Sequence, residues 1–256
     1  MPTNKQRREA AQRRLQRQLE RREELARKRR RNLLIGVTVL AVLAVVGALF
    51  IITGLGDDDS ADTAGQASDN PTCTFIPDGS GSSDVGVPDS EDVPTTGTTA
   101  LTMTTSAGAI GLSLDQAGAP CASASFVHLT EAGFFDGTPC HRETDSEGLK
   151  VLQCGDPTGT GTGGPGYAFP TQVTGDETYG RGTLAMANSG QGTDGSQFFL
   201  VYGDSLENNP NYTVVGTVDE AGLGVLDAIA AKGVADGSED GAPAEPVTIT
   251  SMTPVA

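Results

Sequence analysis

The chain has 256 residues, 37% hydrophobic, with no Trp, four Cys, two His and a formal net charge of −16. The charge is unevenly spread: 13 of the 17 Lys and Arg fall within residues 1–31, and only Arg142, Lys150, Arg181 and Lys232 come after them. A body this acidic argues against nucleic acid as a partner, and two His exclude a His-rich metal site.

Residues 1–32 form a basic arm. From Leu33 to Leu55 runs an uncharged apolar segment broken only by Gly and by Thr38 and Thr53. At ~1.5 Å per residue it is long enough for a ~30 Å hydrocarbon core. Basic residues precede it and Asp57-Asp58-Asp59 come directly after it. The positive-inside rule then puts the arm in the cytoplasm and residues 57–256 on the far side of a cell membrane. A cleaved signal peptide has a shorter apolar region and a small-x-small site after it, and neither is evident. The expectation is a single uncleaved transmembrane helix at 33–55. Residues 56–98 are rich in Asp, Ser, Gly, Thr and Pro and read as a flexible linker. One island in it, Cys73-Thr74-Phe75-Ile76-Pro77, looks tethered to the C-terminal domain. Residues 99–256 have regular apolar patterning and suffice for one domain with a core.

Within that domain Ala100–Thr105 and Ala109–Leu114 alternate around Ser106-Ala107-Gly108, a hairpin signal. Pro120 opens a helix through Phe126 and Leu129 that Gly133 stops. Short strands are expected at Cys140–Glu143, Leu149–Gln153, Gly182–Ala187, Gln197–Val201 and Thr213–Val218. A second helix fits Leu223–Ala231, and Pro246–Met252 is a last strand. Many short strands, Gly-rich turns and two helices predict a mainly β fold, a closed barrel capped by helices.

Some local patterns carry no chemistry. Gly159-Thr160-Gly161-Thr162-Gly163-Gly164 resembles a phosphate loop but lacks the terminal Gly-Lys-Ser/Thr, and reads as a surface turn. His128 falls in the apolar helix and reads as packed or hydrogen-bonded. Cys140 and His141 are adjacent on a strand, face opposite ways and make a poor nucleophile–base pair. Four Cys on the oxidising side favour two disulfides, for which three pairings are open.

The chemistry gathers in Gly182-Thr183-Leu184-Ala185-Met186-Ala187-Asn188-Ser189-Gly190 and Gly195-Ser196-Gln197-Phe198-Phe199-Leu200. Two strands joined by a polar loop offer an apolar cup rimmed by amides, with no nucleophile and no metal ligand. Such a cup suits a small apolar ring between peptide bonds, as in a prolyl residue. Cys140-His141-Arg142 supplies a cation.

These residues, with Phe135-Asp136-Gly137-Thr138, Leu152-Gln153-Cys154-Gly155-Asp156, Gly161-Thr162-Gly163-Gly164 and Tyr212-Thr213-Val214-Val215-Gly216, resemble the cyclophilin-type peptidyl-prolyl cis/trans isomerases. The likeness runs from about Thr99 to Thr253 and is to the membrane-anchored bacterial envelope form. It implies an eight-stranded closed barrel with a helix at each end, no cofactor and no metal. It implies an isomerase that assists the folding of exported or envelope proteins at X-Pro bonds. The catalytic pair it implies is Arg142, donating to the twisted prolyl nitrogen, and Gln153, orienting Arg142. Val151, Met186, Phe199 and Leu206 would form the proline pocket. Asn188 would pair through its backbone with the residue before proline, and His141, Ala187, Gln197 and Tyr212 complete the substrate set. Phe198 faces the core. By the family's register Cys140 stands nearly opposite Cys154, which leaves Cys73 for Cys121.

The sequence departs from the family in three places. Lys150 stands where an aromatic is usual, and its stem is expected across the pocket wall. Tyr212 replaces a frequent His. The tryptophan near Leu206 is missing, Ser205 or its neighbour taking its place, so cyclosporin-like cyclic peptides are expected to bind weakly. The rival reading is a proline-segment binding module or chaperone with little turnover.

Overall fold

A computed structural model describes residues 73–255 apart from 80, 82–84, 191 and 208. The expected arm at 1–32, the expected span at 33–55 and the first part of the expected linker lie outside the described residues. Among the described residues no helix is long and apolar enough to cross a membrane.

The strands in chain order are β1 (Ile76–Pro77), β2 (Thr98–Thr105), β3 (Gly108–Asp115), β4 (Pro139–Cys140), β5 (Arg142–Ser146), β6 (Leu149–Cys154) and β7 (Tyr167–Pro170). They continue as β8 (Thr183–Asn188), β9 (Thr193–Gly203), β10 (Val214–Val218), β11 (Asp240–Gly241) and β12 (Val247–Pro254). Among the described residues there are two helices, α1 (Pro120–Glu131) and α2 (Glu220–Ala230). Pro at the head of α1 has the backbone angle and the missing N–H that a first helical turn tolerates. Asp219 caps α2, its carboxylate accepting from Gly222 N at 2.7 Å.

The ladder runs β11-β5-β6-β9-β8-β10-β3-β2-β12-β4, with β7 on β9 and β1 on β7. Its end strands do not pair, so the expected closed eight-stranded barrel is corrected to a curled half-barrel of twelve strands with an open seam. The cause is local. β11 and β4 are two residues each, β4 begins on a proline with no N–H to donate, and His141 leaves the ladder between β4 and β5. The disulfide Cys140–Cys154 ties β4 to β6 beside this seam.

The concave side holds the main core. α1 packs there through Phe126, whose ring meets Phe135 at 5.1 Å and Phe198 at 5.0 Å. Each such aromatic contributes roughly 1.5–3 kcal/mol by burial. His128, at the end of α1, shares a hydrogen bond with Val85 O at 3.0 Å. Thus part of the expected linker is docked: Cys73 is bonded to Cys121, Phe75 and Val93 are buried, and β1 pairs with β7. A second, smaller apolar cluster of Val151, Tyr179, Ala185, Phe199 and Val201 lies on the outer face. The two clusters divide the sheet by simple alternation, and the outer one underlies the site.

Candidate active site

On β6 the residues Leu149, Val151 and Gln153 point to the outer face, while Leu152 and Cys154 enter the core. On β9 Phe199 faces out and Phe198 in. On β8 Ala185 and Ala187 face out, and Leu184 and Met186 face in. Apart from Ala185, these outward residues, with Leu206 and Tyr212, line a cavity of about 230 Å³ that also touches Arg142 and Asn188. Most of its lining is apolar or aromatic. Phe199 and Tyr212 meet edge to face at 5.5 Å, and Tyr179 braces both rings at 6.2 and 6.0 Å. The Tyr179 hydroxyl donates to Tyr212 O at 2.9 Å and accepts from Tyr212 N at 2.8 Å, so the backbone of Tyr212 is held from behind.

Its lining also includes one cation, Arg142. Arg142 Nη1 donates to Gln153 Oε1 at 3.1 Å, while Nε and Nη2 donate to the two oxygens of Asp240 at 2.7 and 2.8 Å. Pairing of β11 with β5, Asp240 opposite Thr144, brings that carboxylate to the guanidinium. The hydrogen bond to Asp240, outweighing desolvation, raises the pKa of Arg142, and the same bond lowers that of Asp240. Of the five guanidinium N–H groups, two remain to meet a substrate. Gln153 Nε2 donates to Gln197 Oε1 at 2.9 Å, and Gln197 Nε2 donates to Gly161 O at 3.1 Å and Gly163 O at 3.0 Å. The turn carrying those carbonyls winds around Asp156, whose carboxylate accepts from Thr158 N, Thr158 Oγ1, Thr160 N and Gly161 N at 2.6–3.0 Å. The Gly-rich stretch at 159–164 thus anchors Gln197. Gly155 precedes the turn at φ +84°, and a Cβ there would sit 2.3 Å from Ser196 O, so no other residue fits.

Asn188 lies where β8 slips register against β9, between Met186 and Asn188. Bulges of this kind re-aim side chains and are frequent beside active sites. Its amide nitrogen donates to Asn211 O at 3.0 Å and its oxygen accepts from Gly190 N at 2.9 Å.

The structure therefore gathers Arg142, Val151, Gln153, Ala187, Asn188, Phe199, Leu206 and Tyr212 around one cavity, with Gln197 one hydrogen bond away. The structure places three expected residues away from this cavity. Met186 is 1% exposed and lies in the main core, because alternation along β8 turns it away from the cavity. His141 does not line this cavity. It lies near Gly161, both ring nitrogens are buried without partners, and desolvation lowers its pKa. Lys150 points away from the pocket wall, ion-paired with Asp145 and stacked along Gly203, and Leu149 takes the wall. Leu149, Tyr179 and Asp240 were not anticipated. Strand alternation could have found Leu149; nothing local marks the other two.

Residues 100–254 match the family described as "Cyclophilin type peptidyl-prolyl cis-trans isomerase/CLD". The chain is 44% identical to "Probable peptidyl-prolyl cis-trans isomerase B" of Mycobacterium leprae, over 98% of this chain and 99% of that protein. It is 52% identical to the protein of the same name from Mycobacterium tuberculosis, over 59% of this chain and 53% of that one. Among solved structures it is similar to a Cryptosporidium parvum cyclophilin type peptidyl-prolyl cis-trans isomerase, with TM-score 0.55, 27% identity and coverage of 62% of this chain and 99% of that one.

Proposed function

The chain belongs to the cyclophilin-type peptidyl-prolyl cis-trans isomerases, and on that premise we propose that Arg142 is its catalytic residue and Val151, Phe199, Leu206 and Tyr212 its proline pocket. The chain is an enzyme; its reaction breaks no covalent bond. Rotation about an X-Pro amide is slow because resonance sets a barrier of ~18–20 kcal/mol. A site lowers it by binding the twisted amide better than either planar isomer. In the twisted state the prolyl nitrogen regains a lone pair. With the ring in the pocket, the two remaining Arg142 N–H groups would donate to that lone pair and to the adjoining carbonyl oxygen. Gln153 and Asp240 act as positioning residues, and a fork-shaped, permanently charged donor suits the role better than Lys. The observation that carries the reading is this guanidinium, held by three hydrogen bonds at a mostly apolar pocket. Its test is the cis-to-trans rate of an Ala-Pro-Phe peptide with the full chain and with Arg142→Ala. An equal rate in both removes the assignment.

We also infer that the enzyme is held by the 33–55 segment in a bacterial cell membrane, arm inside, and acts on exported or envelope proteins as a folding aid. The support is the basic arm, the apolar run and the acidic flank in sequence, with two disulfides in the domain. Protease added outside intact cells should digest the domain and spare the arm; protection of the domain would overturn this topology. Cyclosporin-like peptides should bind weakly, since no Trp is present to pack on them.

A further inference from the structure

Arg142 is the first residue of β5, and that strand is thinly held. On one side it pairs with β6, Arg142 opposite Gln153; on the other it meets only the two-residue β11. The β5–β6 pairing stops at Arg142. By the same register His141 comes next, opposite Cys154, but it lies outside the ladder and neither of its ring nitrogens has a partner. Strand ends without ladder hydrogen bonds open at little cost. Asp240 and Gln153 orient the Arg142 guanidinium, yet they do not hold the backbone from which it projects.

β6 is the firmer side. Gln153 pairs with Phe199 of β9 and Cys154 with Phe198, and Cys154 is 0% exposed. Cys140, 3% exposed, belongs to β4 at the other end of the ladder, where it pairs with Val247 of β12. The Cys140–Cys154 bond therefore joins the two ends of the half-barrel across the seam that the ladder leaves open. It does so beside the site: Cys140 stands two residues ahead of Arg142, and Cys154 directly follows Gln153.

We propose that the Cys140–Cys154 disulfide is a positioning element for catalysis: it fixes the strand end that carries Arg142 against Gln153, so turnover depends on the bond being closed. The proposal rests on the assignment of Arg142 above. A displacement of about 1 Å at a catalytic group is enough to cost on the order of 100-fold in rate, so a loosened strand end shows in kcat. Val151 and Phe199, on the paired strands β6 and β9, keep the proline pocket and with it KM. The second disulfide supplies the control. Cys73–Cys121 spans 48 residues against 14 for Cys140–Cys154, so loop entropy makes it the larger stabiliser, and it joins the linker to α1, away from Arg142 and Gln153.

The test uses the full chain carrying Cys73→Ser and Cys121→Ser, with kcat and KM measured separately on an Ala-Ala-Pro-Phe peptide. With Cys140–Cys154 closed, this variant melts at a lower temperature than the parent and keeps its kcat within about 2-fold. It is then prepared with Cys140 and Cys154 as thiols and reoxidised with oxidised glutathione. The Cys140–Cys154 bond forms as two electrons and two protons pass to the oxidant, which leaves as two molecules of glutathione. Expected is a kcat about 5-fold lower in the thiol form, restored on oxidation, with KM within about 2-fold throughout. A Cys140→Ala, Cys154→Ala variant of the parent matches the thiol form and no longer responds to glutathione. Equal kcat in the thiol and disulfide forms overturns the proposal and leaves the site assignment standing. A thiol form that does not fold overturns it as well, the bond then being a stability element alone. A parent no faster than Arg142→Ala overturns the site assignment and the proposal with it.

Discussion

Asp240 holds Arg142 by a two-pronged ion pair, Nε to Oδ1 at 2.7 Å and Nη2 to Oδ2 at 2.8 Å, across 98 residues of sequence. The pair fixes the plane of the guanidinium, and Gln153 holds Nη1. Both side chains are partly in water, 37% and 56% exposed, so the pair adds little to stability. Its effect is on geometry.

Arg142→Ala is expected to lower kcat/KM by at least ~10-fold, since a charge-assisted hydrogen bond in the transition state is worth ~1.5–3 kcal/mol. Asp240→Ala should cost about 2- to 5-fold, nearly all of it in kcat, with Asp240→Asn recovering part of the loss. Peptide isomerisation followed by NMR exchange measures both. Equal kcat in Asp240→Ala and the parent would show that Arg142 needs no such partner.

The wall of the pocket gives a second pair of outcomes. Leu149→Ala removes apolar contact with the ring and should raise KM about 3- to 10-fold, from ~1 kcal/mol of lost burial. Lys150→Phe should leave KM unchanged, because position 150 faces Asp145 and Gly203. A gain in affinity from Lys150→Phe would place that residue on the pocket after all.

These two residues also show how far the sequence could be read. The β2–β3 hairpin, both helices and most strands of the outer wall were legible, because alternation and turn residues are local signals. Which face each residue took was harder: a shift of one residue exchanges Leu149 for Lys150 and Ala187 for Met186. β1 and β7 were missed because proline and glycine flank them. Asp240 lies in a Ser-, Glu- and Asp-rich turn that looks like solvent-exposed loop, and only its pairing with β5 gives it a role. The open seam was invisible too, since the two strands that end the ladder are only two residues long.

Tyr179→Phe removes the hydroxyl that joins Tyr212 N and O. At ~0.5–1.5 kcal/mol per hydrogen bond, the expected result is a KM increase of about 3-fold. Peptide titration and a thermal melt check it; a variant with lower melting temperature but unchanged KM would mean that Tyr212 keeps its place without the clamp.

Glu143 gives the pH dependence. It is 0% exposed, neither oxygen has a partner, and burial, then Asp145, pushes its pKa up to about 7. The folded protein thus binds this proton more tightly than the unfolded chain does, so its contribution to stability is present at low pH and falls as pH rises from about 4.5 to about 7. Glu143→Gln should remove that decline and leave the variant more stable than the parent at pH 8 by about 1–3 kcal/mol. Urea unfolding at pH 5 and pH 8 measures the difference. An identical pH profile in the two proteins would refute the assignment.

The four cysteines are joined in the order in which they occur, Cys73 to Cys121 and Cys140 to Cys154. Neither loop encloses or crosses the other. A chain oxidised as it emerges, N-terminal end first, therefore presents each cysteine with its correct mate as the next to arrive. Random pairing would draw on three arrangements of four thiols; sequential emergence reaches this one without any bond having to be broken and remade.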